Sequence, residues 1–251
     1  MTDTPYSFEF VRKLLTKTLA AVELEERHGA DDGPYMALQF ADNPEQSAGY
    51  VRLWAAKPGS SLDRMIHMRL QAGAVETQLM FIFGRADSAM PHLHAQVVQF
   101  PPAGYVYNID LLPRVDAIDH PEWFERVFGP LRRPYKQAIS DSSNSCAQAP
   151  ANPALAIYMS PWGIGSSQTD REELDRVTPS IEAYLDHYLS LAQSGDWEVA
   201  DPVAQAERDS RHLQQFFADE LDPRAWNGVY RILGEEPGRA VKALFQTPLN
   251  Q

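Results

Sequence analysis

Cysteine is almost absent from this 251-residue chain: Cys146 stands alone, so no internal disulfide and no multi-cysteine zinc or iron–sulfur site can form. Long apolar runs are missing too, and nothing approaches the roughly 18 residues that a membrane-spanning helix needs. Basic residues are scarce beside acidic ones: 22 Lys and Arg against 34 Asp and Glu leave a net charge of −12. That balance argues against nucleic acid, because phosphate binding needs clustered cations. The segment Met1–Tyr6 lacks a basic stretch followed by an apolar one, so no signal peptide is expected. A reducing cytoplasm is the location these absences suggest. No Gly/Pro/Ser-rich linker separates two hydrophobic halves. Gly163-Ile-Gly165 lacks the third glycine of a dinucleotide fingerprint, and neither a Walker A nor a Gly-x-Ser-x-Gly sequence occurs.

What remains is patterned. Apolar residues at helical spacing predict a helix over 7–27, ended by Gly29 and the Asp31-Asp32-Gly33-Pro34 turn. Alternating runs predict strands near 35–40, 49–55, 63–71, 75–83, 92–100 and 104–111. Their connections are short, which favours antiparallel hairpins over parallel crossovers. A helix over 121–137 carries Trp123, Phe124, Val127 and Phe128. A polar loop is expected over 140–153, and a further strand over 155–159. Helix 170–194 contains Pro179, which should bend it. The last helices are expected at 203–221 and 236–245. The whole, residues 1–251, reads as one domain: a mainly antiparallel sheet with helices on both faces.

Period-two alternation puts His92, His94 and Gln96 on one strand face, and Met65, His67 and Arg69 on one face of another strand. Three histidines and an arginine on adjacent sheet faces would suit an anionic ligand that takes up protons. The plainer reading is a solvated face, or histidines satisfied within the core. A metal on His92-x-His94 would need a third ligand, and no tell-tale spacing supplies one. Asp209 sits in the charged run Glu207–His212, which by default is a solvated helix face. His212 lies three residues beyond Asp209 and shares its side of the helix. Asp110 is read first as a turn-capping carboxylate, and Arg114 as a structural anchor for that turn.

The stretch Tyr107-Asn-Ile-Asp-Leu-Leu-Pro-Arg-Val-Asp116, followed by His120-Pro-Glu-Trp-Phe-Glu-Arg-Val-Phe128, resembles the ferredoxin-dependent bilin reductase superfamily, and most of all its red chlorophyll catabolite reductase branch. Pro91-His-Leu-His-Ala-Gln96, Met159-Ser-Pro-Trp-Gly-Ile164, and the segments around Gln205–Arg211 and Leu233–Ala240 fit the same family in order and spacing. The resemblance implies a three-layer α/β/α sandwich that binds a linear tetrapyrrole between the sheet and the C-terminal helices. It implies no bound cofactor: external reduced ferredoxin delivers electrons and side chains deliver protons. Asp209, with His94 or His67, would then be the proton donors. Gln96, Arg69, His92 and His212 would contact the pigment, Arg69 through a propionate. The family carries Asp or Glu where Gln96 stands, and glutamine cannot supply an acidic proton. That departure leaves open a non-catalytic carrier of the same fold. Arg132-Arg133-Pro-Tyr-Lys136 is the basic patch available to an acidic ferredoxin. The chlorophyll-catabolite branch implies a homodimer and the bilin branch a monomer. A hydrolase or isomerase is the least supported reading, since no nucleophile–base pair is evident.

Overall fold

A computed structural model describes residues 5–100, 102, 104–142, 153–195 and 197–249. Cys146 and most of the polar 140–153 loop lie outside them. Helix α1 (Tyr6–Ala21) leads into β1 (Leu24–Arg27), β2 (Met36–Phe40) and β3 (Asn43–Ala56). Four strands follow: β4 (Leu62–Ala72), β5 (Val75–Gly84), β6 (His92–Phe100) and β7 (Gly104–Leu112). Helices α2 (Pro121–Phe128) and α3 (Arg132–Asp141) precede a short 3-10 turn, Pro153–Ile157, and β8 (Ile164–Thr169). The chain ends in α4 (Arg171–Gln193), α5 (Pro202–Phe216), α6 (Pro223–Leu233) and α7 (Glu235–Gln246).

All eight strands join one sheet in the order β1-β3-β4-β5-β6-β7-β8, with β2 also on β3. Every pairing is antiparallel. One sheet face buries Met65, Met80, Ile82, Leu93, Ala95 and Ile109 beneath α1 to α4. The other buries Ile66, Met68, Phe81 and Phe83 beneath α5, α6 and α7. This is the expected α/β sandwich. The central strands carry buried apolar residues on both faces because each face is covered, with polar residues interspersed.

Three expected elements differ, and β1, β8 and α6 were not anticipated. The first helix stops at Ala21, with Val22 already extended, and Leu24-Glu-Glu-Arg27 alternates as an edge strand on β3. The 121–137 helix is two, because Pro130 has no N–H to continue the ladder after Gly129. The apolar run 155–159 is no strand: it forms the 3-10 turn, with Ile157 78% exposed, and the strand that completes the sheet edge is β8. A short apolar run does not reveal its own period. Helix α6 was not anticipated, although Asp222 accepts from the Ala225 N–H and Pro223 opens the first turn. Helix α4 runs through Pro179 without interruption.

Where β3 passes β4, Gly49 adopts φ 146°, and a Cβ there would meet the Arg69 carbonyl oxygen at 2.0 Å. Gly49→Ala should therefore destabilise the fold by about 2 kcal/mol or more. The urea midpoint would show it, and an unchanged midpoint would mean that β3 and β4 can separate at little cost.

Candidate functional site

The β6–β7 register sets His92 opposite Leu112, His94 opposite Asp110 and Gln96 opposite Asn108. These residues face α5, so a polar strip lies within an otherwise apolar layer. Asn108 donates to Gln96 Oε1 at 3.3 Å. Beyond the strip, His94 stacks on Phe81 and meets the edge of Phe216. Among the described residues, three buried atoms of this strip have no hydrogen-bond partner: His94 Nδ1, Asn108 Oδ1 and His212 Nδ1; Arg114 Nε beside it, and His67 Nδ1 and Ser7 Oγ elsewhere, share that state. Buried polar atoms are normally satisfied, so the three together leave unused bonding capacity between the sheet and α5.

Asp209 reaches down from α5. His92 Nδ1 accepts the Gly84 N–H at 3.0 Å, so the proton of the neutral ring sits on Nε2 and is donated to Asp209 Oδ1 at 2.9 Å. Arg114 Nε lies 3.0 Å from the same oxygen. Burial alone would raise the Asp209 pKa. Arg114, reinforced by His92, outweighs that and holds the carboxyl below its usual range. An acid role for Asp209 therefore requires this ion pair to loosen. The Arg114 guanidinium also donates to the carbonyls of Met90, Arg85 and Ala86. Its own carbonyl accepts from Gln205 and Arg208 of α5. The turn anchor read from the sequence thus also fastens the helix that carries Asp209.

His212 donates from Nε2–H to the Tyr158 carbonyl, 3.0 Å away, and its ring stacks on Tyr158. The segment after the 3-10 turn therefore closes over the strip. Asp110 is fully buried. It accepts the Ser160 N–H at 2.8 Å and a short bond from the Ser160 hydroxyl. Burial pushes its carboxyl up to about 7 despite these bonds. His92 is pushed down to about 3, and His94 and His212 to about 4, in each case chiefly by burial.

Two expected pigment-facing residues belong elsewhere. The β4–β5–β6 register places His67 and Arg69 on the opposite sheet face, beneath α1. His67 Nε2 lies 2.7 Å from Gln78 Oε1, and Gln78 in turn donates to Glu76. Arg69 forms a two-point ion pair with Glu76 and lies over the Phe8 ring. The sheet itself separates this network from His92, His94 and Gln96, so one ligand cannot touch both. Two surface concavities also lie away from the strip. One of about 500 Å³ is lined by Glu26, His28, Tyr35 and Leu53 at the β1–β3 edge, and one of about 340 Å³ by Arg132, Arg133 and Lys136 on α3. Asn108, Tyr158 and Ser160 were not anticipated as site residues. Only the alternation of Asn108 with Asp110, opposite His94, hinted at one of them.

The expected superfamily can be tested directly. No protein-family model matches the chain. Red chlorophyll catabolite reductase 1 of rice, a chloroplastic protein, is 36% identical over 86 residues, 33% of this chain and 26% of the relative. The barley red chlorophyll catabolite reductase is 33% identical over 67 residues, 27% of this chain and 33% of the relative. Over these segments the chain is similar in sequence to the red chlorophyll catabolite reductases. Its matches span only about a quarter to a third of those proteins' length. The crystal structure of tomato phytochromobilin synthase in complex with biliverdin superposes with a TM-score of 0.75. That match covers 95% of this chain and 82% of the tomato chain at 14% identity, so it establishes a shared fold. Among the described residues, no helix is long and apolar enough to cross a membrane.

Two consequences for stability follow. His67, His92, His94 and His212 all titrate lower in the folded chain than the ordinary 6.5. The unfolded chain takes up those protons first, so their contribution is intact above about pH 6.5 and is lost as the pH falls toward about 4. Asp110 has the opposite sign: its folded pKa is raised, so its contribution is lost as pH rises toward about 7. His187 is lowered by burial as well, so the histidines outweigh the single carboxyl and unfolding near pH 5 takes up protons on balance, measurable from urea unfolding at several pH values. His94→Phe should lower that uptake by about one; an unchanged value would mean that His94 titrates normally. Separately, Arg114→Met leaves Asp209 buried without its cation, with only the His92 bond remaining, and should cost about 3–5 kcal/mol. Thermal unfolding would measure the loss.

Proposed function

We propose that this protein reduces a double bond of a linear tetrapyrrole. The observation that carries the reading is the polar strip of His94, Asn108 and His212, with its three unpartnered buried atoms, between the sheet and α5. A bilin is a long apolar π-system studded with N–H and C=O groups. Phe81, Phe216 and Tyr158 offer it aromatic surface, and the unpartnered nitrogens and amide oxygen offer it hydrogen bonds. The kinship with red chlorophyll catabolite reductases and the fold shared with phytochromobilin synthase support the same ligand class.

The reaction adds two electrons and two protons. No redox group is needed within the chain if an external reduced ferredoxin supplies the electrons singly. Such a partner is acidic, and the α3 cluster of Arg132, Arg133 and Lys136 is the local positive surface on a chain of net charge −12. Gln96 orients the pigment through hydrogen bonds. Its amide is already engaged by Asn108, which fixes which way it points. His92 and Asp209 share one proton. An additional proton must settle on Asp209, because His92 Nδ1 is occupied by the Gly84 N–H. The Arg114 pair opposes that protonation, so Asp209 becomes an acid only when the bound pigment weakens the pair.

Loss of a carboxylate at Gln96 favours a second reading, a carrier that binds the pigment unchanged. Anaerobic absorption spectroscopy with biliverdin, before and after adding a reduced ferredoxin system, separates the two. Conversion of the bound spectrum to that of a new bilin supports a reductase. A stable complex whose spectrum never changes supports the carrier. Asp209→Asn keeps an acceptor for His92 and should leave pigment affinity within a few-fold while slowing turnover about 10²-fold. Unchanged turnover would remove Asp209 from proton transfer.

A further inference from the structure

One buried acid on the pigment-facing side of the sheet has no place in the scheme above. Asp110 stands directly opposite His94 across the β6–β7 pair, where facing Cβ atoms lie about 5 Å apart. It is completely buried, and both carboxyl oxygens are engaged by Ser160. A plain turn cap would sit at the surface and rest on a cation or a helix end; Asp110 does neither. Its neighbour His94 is also buried, and Nδ1 of that ring has no partner.

We propose that Asp110 acts through His94 as the proton source for reduction of the bound pigment. This role rests on the tetrapyrrole reading given above. It makes Asp110 a positioning and proton-supplying residue that does not itself touch the ligand. Once the pigment has accepted one electron from the external iron–sulfur donor, the reduced pigment takes a proton from one nitrogen of His94. In the same event the Asp110 carboxyl O–H bond breaks and its proton passes to the other nitrogen, so no free imidazolium forms. His94 is left neutral, and the Asp110 carboxylate regains a proton from water. A second electron and a second proton by the same route complete the two-electron, two-proton reduction. The missing acid at Gln96 is thereby replaced from the adjacent strand.

The titratable groups around Asp110 are few. His94 faces it from β6, and Tyr184 of α4 feels its charge. Farther along the same face lie His92 with the Asp209–Arg114 pair, and His212 of α5. Among the described residues no cation is counted among the influences on Asp110, whose acidity is set by burial against the Ser160 bonds and the Leu111 N–H. It is therefore protonated up to about pH 7 and can release that proton once His94 is called on.

The test is single-turnover reduction of biliverdin by the whole protein with a reduced ferredoxin system, followed across pH. Turnover should fall above about pH 7 as Asp110 ionises. Asp110→Asn should bind biliverdin within a few-fold, lose about 10²-fold in rate, and lose that limb of the profile. Ser160→Ala removes one bond that favours the carboxylate, so the limb should move to higher pH by about half a unit or more. This second variant carries the test if Asp110→Asn does not fold. An infrared carboxylic C=O band that disappears above about pH 7 and is absent from Asp110→Asn would support the assignment without any substrate. An intact limb in Asp110→Asn, or an unmoved one in a Ser160→Ala protein that still binds and reduces the bilin, would overturn the role of Asp110 alone. Failure of the unaltered protein to bind or reduce biliverdin would overturn the functional reading and this role together.

Discussion

The buried Arg114–Asp209 pair is the interaction on which the rest of the site depends. One guanidinium ties three carbonyls of the 85–90 segment to a carboxylate on α5. The carbonyl of the same residue receives Gln205 and Arg208 from that helix. Helix α5 is therefore seated on the sheet by directional bonds as well as by Leu213 and Phe216. Directional bonds fix rotation and height in a way that apolar contact does not. That fixed seat brings Asp209 to His92 and His212 to Tyr158. A buried pair of this kind adds little net stability, but losing either member leaves an unpaired charge in a dry place. Its value lies in holding the geometry of the site.

A second constraint is the sheet as a wall. Period-two alternation divides the polar residues of the central strands into two sets that never meet. His67, Arg69, Glu76 and Gln78 bond to one another beneath α1, leaving His67 Nδ1 without a partner. His92, His94, Gln96, Asn108 and Asp110 face α5 and leave several atoms unsatisfied. The first network closes most of its hydrogen bonds internally, whereas the second leaves bonding capacity to an incoming ligand. Burial then depresses each histidine and raises the one carboxyl that no cation accompanies. Acid and base strengths in this layer are set by where the residues lie, not by their type.

Much of this was readable in the chain. The alternation from His92 to Gln96 identified a strand face, and the register confirms that these side chains share it. Six of the eight strands were anticipated, because their period is two and their connections are short. Arg114 was recognised as an anchor to a carboxylate, though Asp209 could not be named as its partner. Errors fell where local pattern is silent. Leu155–Met159 is apolar without a period, and it became a turn. Gly228 inside α6 masked a helix that Asp222 and Pro223 announce. His67 shared chemistry with His94, and one strand read alone does not reveal which way its neighbour faces.

The sequence by itself determined the layered antiparallel architecture, the kinship with red chlorophyll catabolite reductases and the residue types available for the chemistry, because periodicity and local motifs are properties of the chain. Tertiary structure alone decided which face each strand turns to α5, that Asp209 is tied to Arg114, and that Asp110 lies dry and opposite His94. Those outcomes depend on strand register and helix seating, which join residues some 20 to 120 positions apart, such as His92 and Asp209. Charge state follows from that same assembly: an aspartate carries no mark in the sequence of whether it will be held ionised by an arginine or kept neutral by burial.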